Sequence, residues 1–199
     1  MSRVNSLLLS MVALTAAGNL AAQGERYDID PEHTFVTFEV NRFSMVDVVG
    51  FFPEASGTIM FDPSDAAKSS AAVTIETASV YLGNSEGRTD AVRGRIFLDV
   101  AEYPEMTFVT TRMEQRPSGL VAIGDLTLHG VTHEVAVPFE WKGPFRDPTG
   151  LTTITMKGHV TIDRQDFGIS FDRRLPTGEP FVGNEVAIEL NVLAVKAED

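Results

Sequence analysis

The side chains in this sequence best suited to chemistry are four histidines, an arginine pair and a scatter of carboxylates. His129 and His133 are four residues apart, a spacing that on a helix would make a metal pair. Here they flank the turn Gly130-Val131-Thr132, where that spacing need not bring the rings together. No third ligand is evident, so no metal is expected. His33 follows Asp30-Pro31-Glu32 and precedes a strand-like run. It is a candidate base, headgroup contact or structural hydrogen-bonder, and the structural role is the simplest. His159 shares the polar phase of its segment with Lys157 and Thr161. Glu134/Glu140 and Glu185/Glu189 fall on polar phases too, whereas acid–base catalysis needs two carboxylates converging in one cleft. Arg173 and Arg174 lie in an aromatic stretch, where they could meet a phosphate or quinone headgroup or simply pair with nearby acids. The sequence holds no GxSxG elbow, P-loop, GxGxxG or HExxH motif. It also has no cysteine, which removes thiolate nucleophiles and CxxC redox chemistry.

The elements that must position these groups alternate with period two. Val36, Phe38 and Val40 share a phase against Thr37, Glu39 and Asn41. The pattern returns at Ile59/Phe61, Val73/Ile75, Met106/Phe108 and Leu126/Leu128. It is longest through Val135, Val137, Phe139 and Trp141, then continues in Ile154, Met156, Val160 and Ile162 and in Val186, Ile188, Leu190 and Val192. Such alternation marks half-buried antiparallel strands, about eight of them. Gly57, Asp62-Pro63, Pro117-Ser118-Gly119, Gly130 and Asp147-Pro148-Thr149-Gly150 separate them. Sandwich and barrel both satisfy this list. Residues 84–93, opening on Asn84-Ser85 and ending at Gly94, predict a short helix, with a further helical turn over Phe97–Tyr103. Residues 166–183 are too rich in Pro and Gly for regular structure and too aromatic for a solvated loop, which predicts a loop folded over an opening. Thirteen phenylalanines against one tryptophan and three tyrosines either fill a core or line an apolar bore.

Residues 1–22 read as a cleaved secretory signal peptide: Arg3, a short apolar run from Leu7 to Leu14, and Ala21-Ala22 as a small-residue cleavage site. The run is shorter than the roughly 20 apolar residues that span a bilayer, and no cysteine follows it to carry a lipid anchor. The remainder, 23–199, shows no linker or repeat and is read as one domain. A net charge of −12 argues against nucleic acid as a partner and against stable insertion into an anionic membrane surface.

Several stretches together resemble the YceI-like family. Asp30-Pro31-Glu32-His33-Thr34-Phe35-Val36-Thr37-Phe38 is similar to its opening, and Gly57-Thr58-Ile59-Met60-Phe61-Asp62-Pro63 to its third strand. Arg88-Thr89-Asp90 with Phe97-Leu98-Asp99-Val100-Ala101-Glu102-Tyr103-Pro104 resembles its helix and following turn. Leu126-Thr127-Leu128-His129-Gly130-Val131-Thr132 resembles its central hairpin, and Asp166-Phe167-Gly168-Ile169 and Val182-Gly183-Asn184-Glu185-Val186 complete the order. Thr34 replaces a more usual Ser, and Gly94-Arg95-Ile96-Phe97-Leu98 departs from Ser-x-x-Phe-Phe, so Leu98 would alter ligand fit if it borders a tunnel.

The resemblance implies an all-β fold, an extended eight-stranded antiparallel lipocalin-like barrel with one or two short helices. It further implies non-catalytic binding, sequestration or transport of a polyprenyl chain or isoprenoid quinone in the barrel, in the periplasm, with no cofactor besides that lipid. Dimers are common in the family, so a homodimer is an expectation. Strand phase and loop position nominate Phe38, Phe61, Phe108, Phe139, Trp141, Met156 and Phe167 as ligand contacts, with His33 and Arg173 as headgroup contacts. The rival readings are an enzyme acting on a lipophilic substrate at the barrel mouth, and a filled, ligand-free barrel serving as a stress-related interaction protein.

Overall fold

A computed structural model describes residues 24–198, so the expected signal peptide lies outside the described residues. The strands are β1 (Glu25–Ile29), β2 (Phe35–Arg42), β3 (Val46–Phe52), β4 (Ala55–Phe61), β5 (Ser70–Glu76), β6 (Glu105–Arg116), β7 (Gly119–Leu128), β8 (Val131–Arg146), β9 (Thr152–Asp163) and β10 (Val182–Lys196). Among the described residues there is one α-helix, α1, covering Glu86–Arg93. Neighbours around the sheet run β1-β4-β5-β6-β7-β8-β9-β10, and a β1–β10 pairing closes the ring into an antiparallel barrel of eight strands. The two further strands extend that wall, β2 on β10 and β3 on β2.

β1 and β2 together occupy one side of β10. Tyr27–Ile29 pair with Ala194–Lys196, and Phe35–Val40 with Val186–Asn191. The break between them is the Asp-Pro-x-His segment. Glu32 N–H donates to Asp30 Oδ1 at 2.8 Å, and His33 Nδ1 sits 2.8 Å from Asp30 Oδ2. Buried Thr34 then stitches the chain back onto Leu193: its Oγ1 donates to the carbonyl at 3.3 Å and accepts from the amide at 3.2 Å. Pro31 cannot donate to a ladder, so this segment leaves the sheet and lets the strand bend.

α1 spans Glu86–Arg93 within the predicted helix. Arg93 fastens it to the preceding segment through the carbonyls of Ala78 at 2.9 Å and Val80 at 3.1 Å. The second helical stretch, expected over Phe97–Tyr103, is instead a pair of hydrogen-bonded turns. Asp99 takes φ of 43°, outside helical backbone, and interrupts the winding. The apolar side chains form two clusters. One gathers Val36, Phe52, Val80, Leu82, Leu98, Met106, Leu128 and Ile162 around the end that carries α1. The other packs Tyr27, Ile29, Ile59, Phe61, Ile154 and Ala194 at the far end.

Candidate functional site

Between the two clusters the barrel is hollow. The inward rows Val186-Ile188-Leu190-Val192 and Val160-Ile162 are in register, Val186 opposite Ile162, Ile188 opposite Val160, Val192 opposite Met156. Yet Val186, Ile188, Leu190, Val192 and Val160 are only half-buried, because they face a cavity of about 610 Å³ instead of packed side chains. That volume lies in the range of ligand sites. Two glycines let the aromatic wall lie flat. A Cβ on Gly50 would fall 2.5 Å from the Phe38 ring, and one on Gly124 would fall 2.6 Å from the Phe108 ring. Without those hydrogens-only positions, both rings would be pushed into the lumen.

The lining is apolar apart from Thr34, Thr110, Ser85 and the arginines Arg42, Arg88 and Arg164. None of the four histidines and no carboxylate borders the cavity among the described residues. Nor do those residues contain a group of three or more His, Cys, Asp or Glu able to hold a metal ion.

The arginines mark one end, where exposed Arg88 of α1 reaches both cavity and solvent. Arg42 lies 4.3 Å over the Phe43 ring and 5.4 Å from that of Phe181. Arg164 is 4% exposed and has no carboxylate within ion-pair distance among the described residues. Its guanidinium instead donates to the carbonyls of Gly183 at 2.9 Å, Phe171 at 2.6 Å, Val182 at 3.3 Å and Ile169, and to Asn184 Oδ1 at 3.0 Å. Burial pushes its pKa down, and the charges of Asp163 and Asp172 act in the opposite sense. Arg164 therefore pins the irregular 165–181 segment against the start of β10. A row of rings, Phe43–Phe181–Phe171–Phe97, runs along this rim with centroid separations of 4.5, 6.0 and 5.2 Å.

Of the residues nominated from the sequence, Phe38, Phe108, Phe139 and Met156 line the cavity. Phe61, Trp141 and Phe167 are not among its lining residues. Phe61 and Trp141 have the inward phase but sit below the cavity, ring against ring at 4.6 Å, where they close the barrel. Phe167 is buried in the cluster at the α1 end, edge-on to His133 at 5.2 Å, within a turn whose Asp166 carbonyl lies 3.0 Å from His133 Nε2. His33, expected as a headgroup contact, is held in the Asp30 turn beside Leu193, toward the closed end and outside the lining. Arg173 does stand at the rim, 4.9 Å over Phe181, although it does not line the bore. Leu98, the departure from the family pattern, does border it.

The site residues missed in the sequence carried a readable signal. Arg42 continues the inward row Val36-Phe38-Val40, and Arg164 continues Val160-Ile162. An arginine that ends an inward apolar row marks where the bore meets the rim.

Comparison with known proteins agrees with this geometry. A sequence model of the YceI-like domain matches residues 27–194. A UPF0312 protein of Pseudomonas syringae pv. syringae is 34% identical over 158 residues, covering 79% of this chain and 82% of its own. A UPF0312 protein of Shewanella putrefaciens is 34% identical over 169 residues, covering 83% and 88%. Among solved structures, BcnA of Burkholderia cenocepacia superposes with a TM-score of 0.71 at 28% identity, over 83% of this chain and 98% of its own. A polyisoprenoid binding domain from Saccharophagus degradans superposes with a TM-score of 0.65 over 86% and 98%, and at 16% identity that likeness shows a shared fold.

Proposed function

The chain belongs to the YceI-like family, and from that premise we propose that it binds, and sequesters or carries, a long apolar isoprenoid lipid inside its barrel without transforming it. The observation that carries this reading is the hollow bore of about 610 Å³ with its almost wholly apolar wall. A filled barrel would leave no such space. A chain of isoprene units offers only hydrocarbon along its length, so it needs a deep apolar bore and few polar contacts. Burial contributes roughly 0.8 kcal/mol per methylene, so affinity is built up carbon by carbon. The absence of histidine and carboxylate from the lining, among the described residues, leaves no acid–base pair beside a bound chain, which supports carriage over turnover. The ligand class itself is supported by the likeness in fold to the Saccharophagus polyisoprenoid binding domain.

The arginines and rings at the rim suit the polar end of such a lipid, a quinone or other headgroup, with Arg173 and Phe181 beside it. The apolar leader read over residues 1–22 supports export to the periplasm, where the lipid would be met. The test is mass spectrometry of an organic extract of the protein, purified from a bacterial periplasm without detergent. A stoichiometric polyprenyl species establishes the reading. An empty extract that stays empty after incubation with an isoprenoid quinone refutes it.

A further inference from the structure

We infer that the aromatic floor made by Trp141, Phe61 and Tyr27 is a ruler: it sets the longest isoprenoid tail that the barrel accepts. This rests on the lipid reading above and concerns which members of that lipid class are taken.

The sheet order places β8 and β4 on opposite sides of the closed ring. Trp141 comes from β8 and Phe61 from β4, and their centroids are only 4.6 Å apart. Side chains from opposite walls can meet at that distance only by spanning the lumen, so the pair forms a crossbar. Tyr27 of β1 backs it, edge-on to Phe61 at 6.1 Å, with its hydroxyl donating to Glu25 Oε2 at 3.1 Å. Phe61 is 1% exposed and Tyr27 fully buried, so neither ring has room to swing away. The cavity rests directly on this layer, since Ala71, Val73, Met156 and Val192 both line the bore and pack against the floor cluster.

At the other end the bore is bounded by Arg42, Arg88 and Phe181. That polarity orients the lipid: the headgroup stays at the rim and the tail tip descends until it meets the crossbar. A tail longer than the bore must expose its excess to water at the rim or buckle, and either lowers affinity. Because the floor is a set of packed rings, the penalty comes at a definite length.

Cutting Trp141 back to alanine lowers the floor. The space released is on the order of the ~150 Å³ apolar cavity that accommodates a benzene ring, enough for the five carbons of one isoprene unit. Filling works in the opposite sense. Ala71 faces the bore directly above the floor, so Ala71→Leu raises it.

The experiment offers delipidated protein an equimolar ladder of all-trans polyprenols differing by one isoprene unit, and quantifies the retained species by mass spectrometry after gel filtration. The wild type should show a cut-off length. Trp141→Ala should move it one unit longer and Ala71→Leu move it shorter, each changing the relative retention of the prenol at the boundary by ~10-fold or more. Trp141 is the only tryptophan, so in the wild type its emission should respond to prenols near the cut-off and not to short ones. An unmoved cut-off in folded variants, or emission that responds alike to every length, overturns the ruler and leaves lipid binding standing. Retention of no prenol by the wild type removes the lipid reading and the ruler with it. Should Trp141→Ala fail to fold, Ala71→Leu and the wild-type emission decide the matter.

Discussion

A hollow barrel and a filled one differ in what a lost ring costs, and Phe139 and Phe61 make the comparison within one molecule. Phe61 is packed on all sides in the floor, at 1% exposure, so Phe61→Ala forfeits its transfer free energy and opens a new void. Substitutions of that kind cost ~3–5 kcal/mol. Phe139 is half-buried and faces a void that already exists. Its truncation enlarges the cavity without creating one, and only the buried part of the ring is lost. Fully burying a phenylalanine contributes ~1.5–3 kcal/mol, so Phe139→Ala should cost about 1–1.5 kcal/mol in the empty protein. Urea unfolding of delipidated wild type and both variants, followed by far-ultraviolet circular dichroism, measures the two losses. The slopes must stay equal for the midpoints to be compared. Loading with an isoprenoid should then widen the deficit of Phe139→Ala, because a weaker ligand stabilises less at a given concentration. Equal losses at the two positions in the empty protein would refute the hollow bore.

The remaining predictions concern the rim, the wall and the floor. Arg164→Met leaves four carbonyls and Asn184 Oδ1 without their donor, and should cost ~3 kcal/mol with faster proteolysis inside 165–181. A loss below ~1 kcal/mol would mean that water replaces the guanidinium. Gly50→Val sets a side chain where the Phe38 ring lies, and should abolish uptake of a fluorescent isoprenoid; undiminished uptake by a folded variant would show that the ring can move aside. Burial, together with the hydrogen bond to Glu25, raises the pKa of Tyr27 to about 12. A raised phenol pKa favours the protonated folded state, so its contribution is fully present below an unfolded value of ~10 and is lost as pH climbs toward 12. Phenolate absorbance should therefore show one tyrosine titrating late, and Tyr27→Phe should flatten the alkaline loss of stability; an unchanged alkaline limb would assign that loss elsewhere.

Strand phase was legible in the sequence because side chains alternate across a sheet whatever the strand pairs with. Val36, Phe38 and Val40, and Val186, Ile188, Leu190 and Val192, point inward as their spacing predicted. The helix at 86–93 and the family were legible too, the latter from several weak motifs standing in one order. β1 and β3 escaped notice, Glu25–Ile29 because it is too short to show a repeat and Val46–Phe52 because it does not alternate cleanly. Tyr27 is in a strand because it finds partners far along the chain, in β4 and β10, and Val48 because it faces Val40 across the tight β2–β3 hairpin.

Depth was what the linear pattern could not contain. Phe139 and Trp141 have the same phase, yet one borders the cavity and the other closes it, and Phe61 joins the floor for the same reason. Height along a barrel depends on the stagger between neighbouring strands, and the width of its lumen on strand number and tilt. Both are properties of the closed ring. The amino-acid sequence by itself determined which side chains face inward and that the interior is apolar. Only closure of β1 onto β10 decided that this interior is hollow, where its floor lies, and that Arg42, Arg88 and Arg164 meet at its rim.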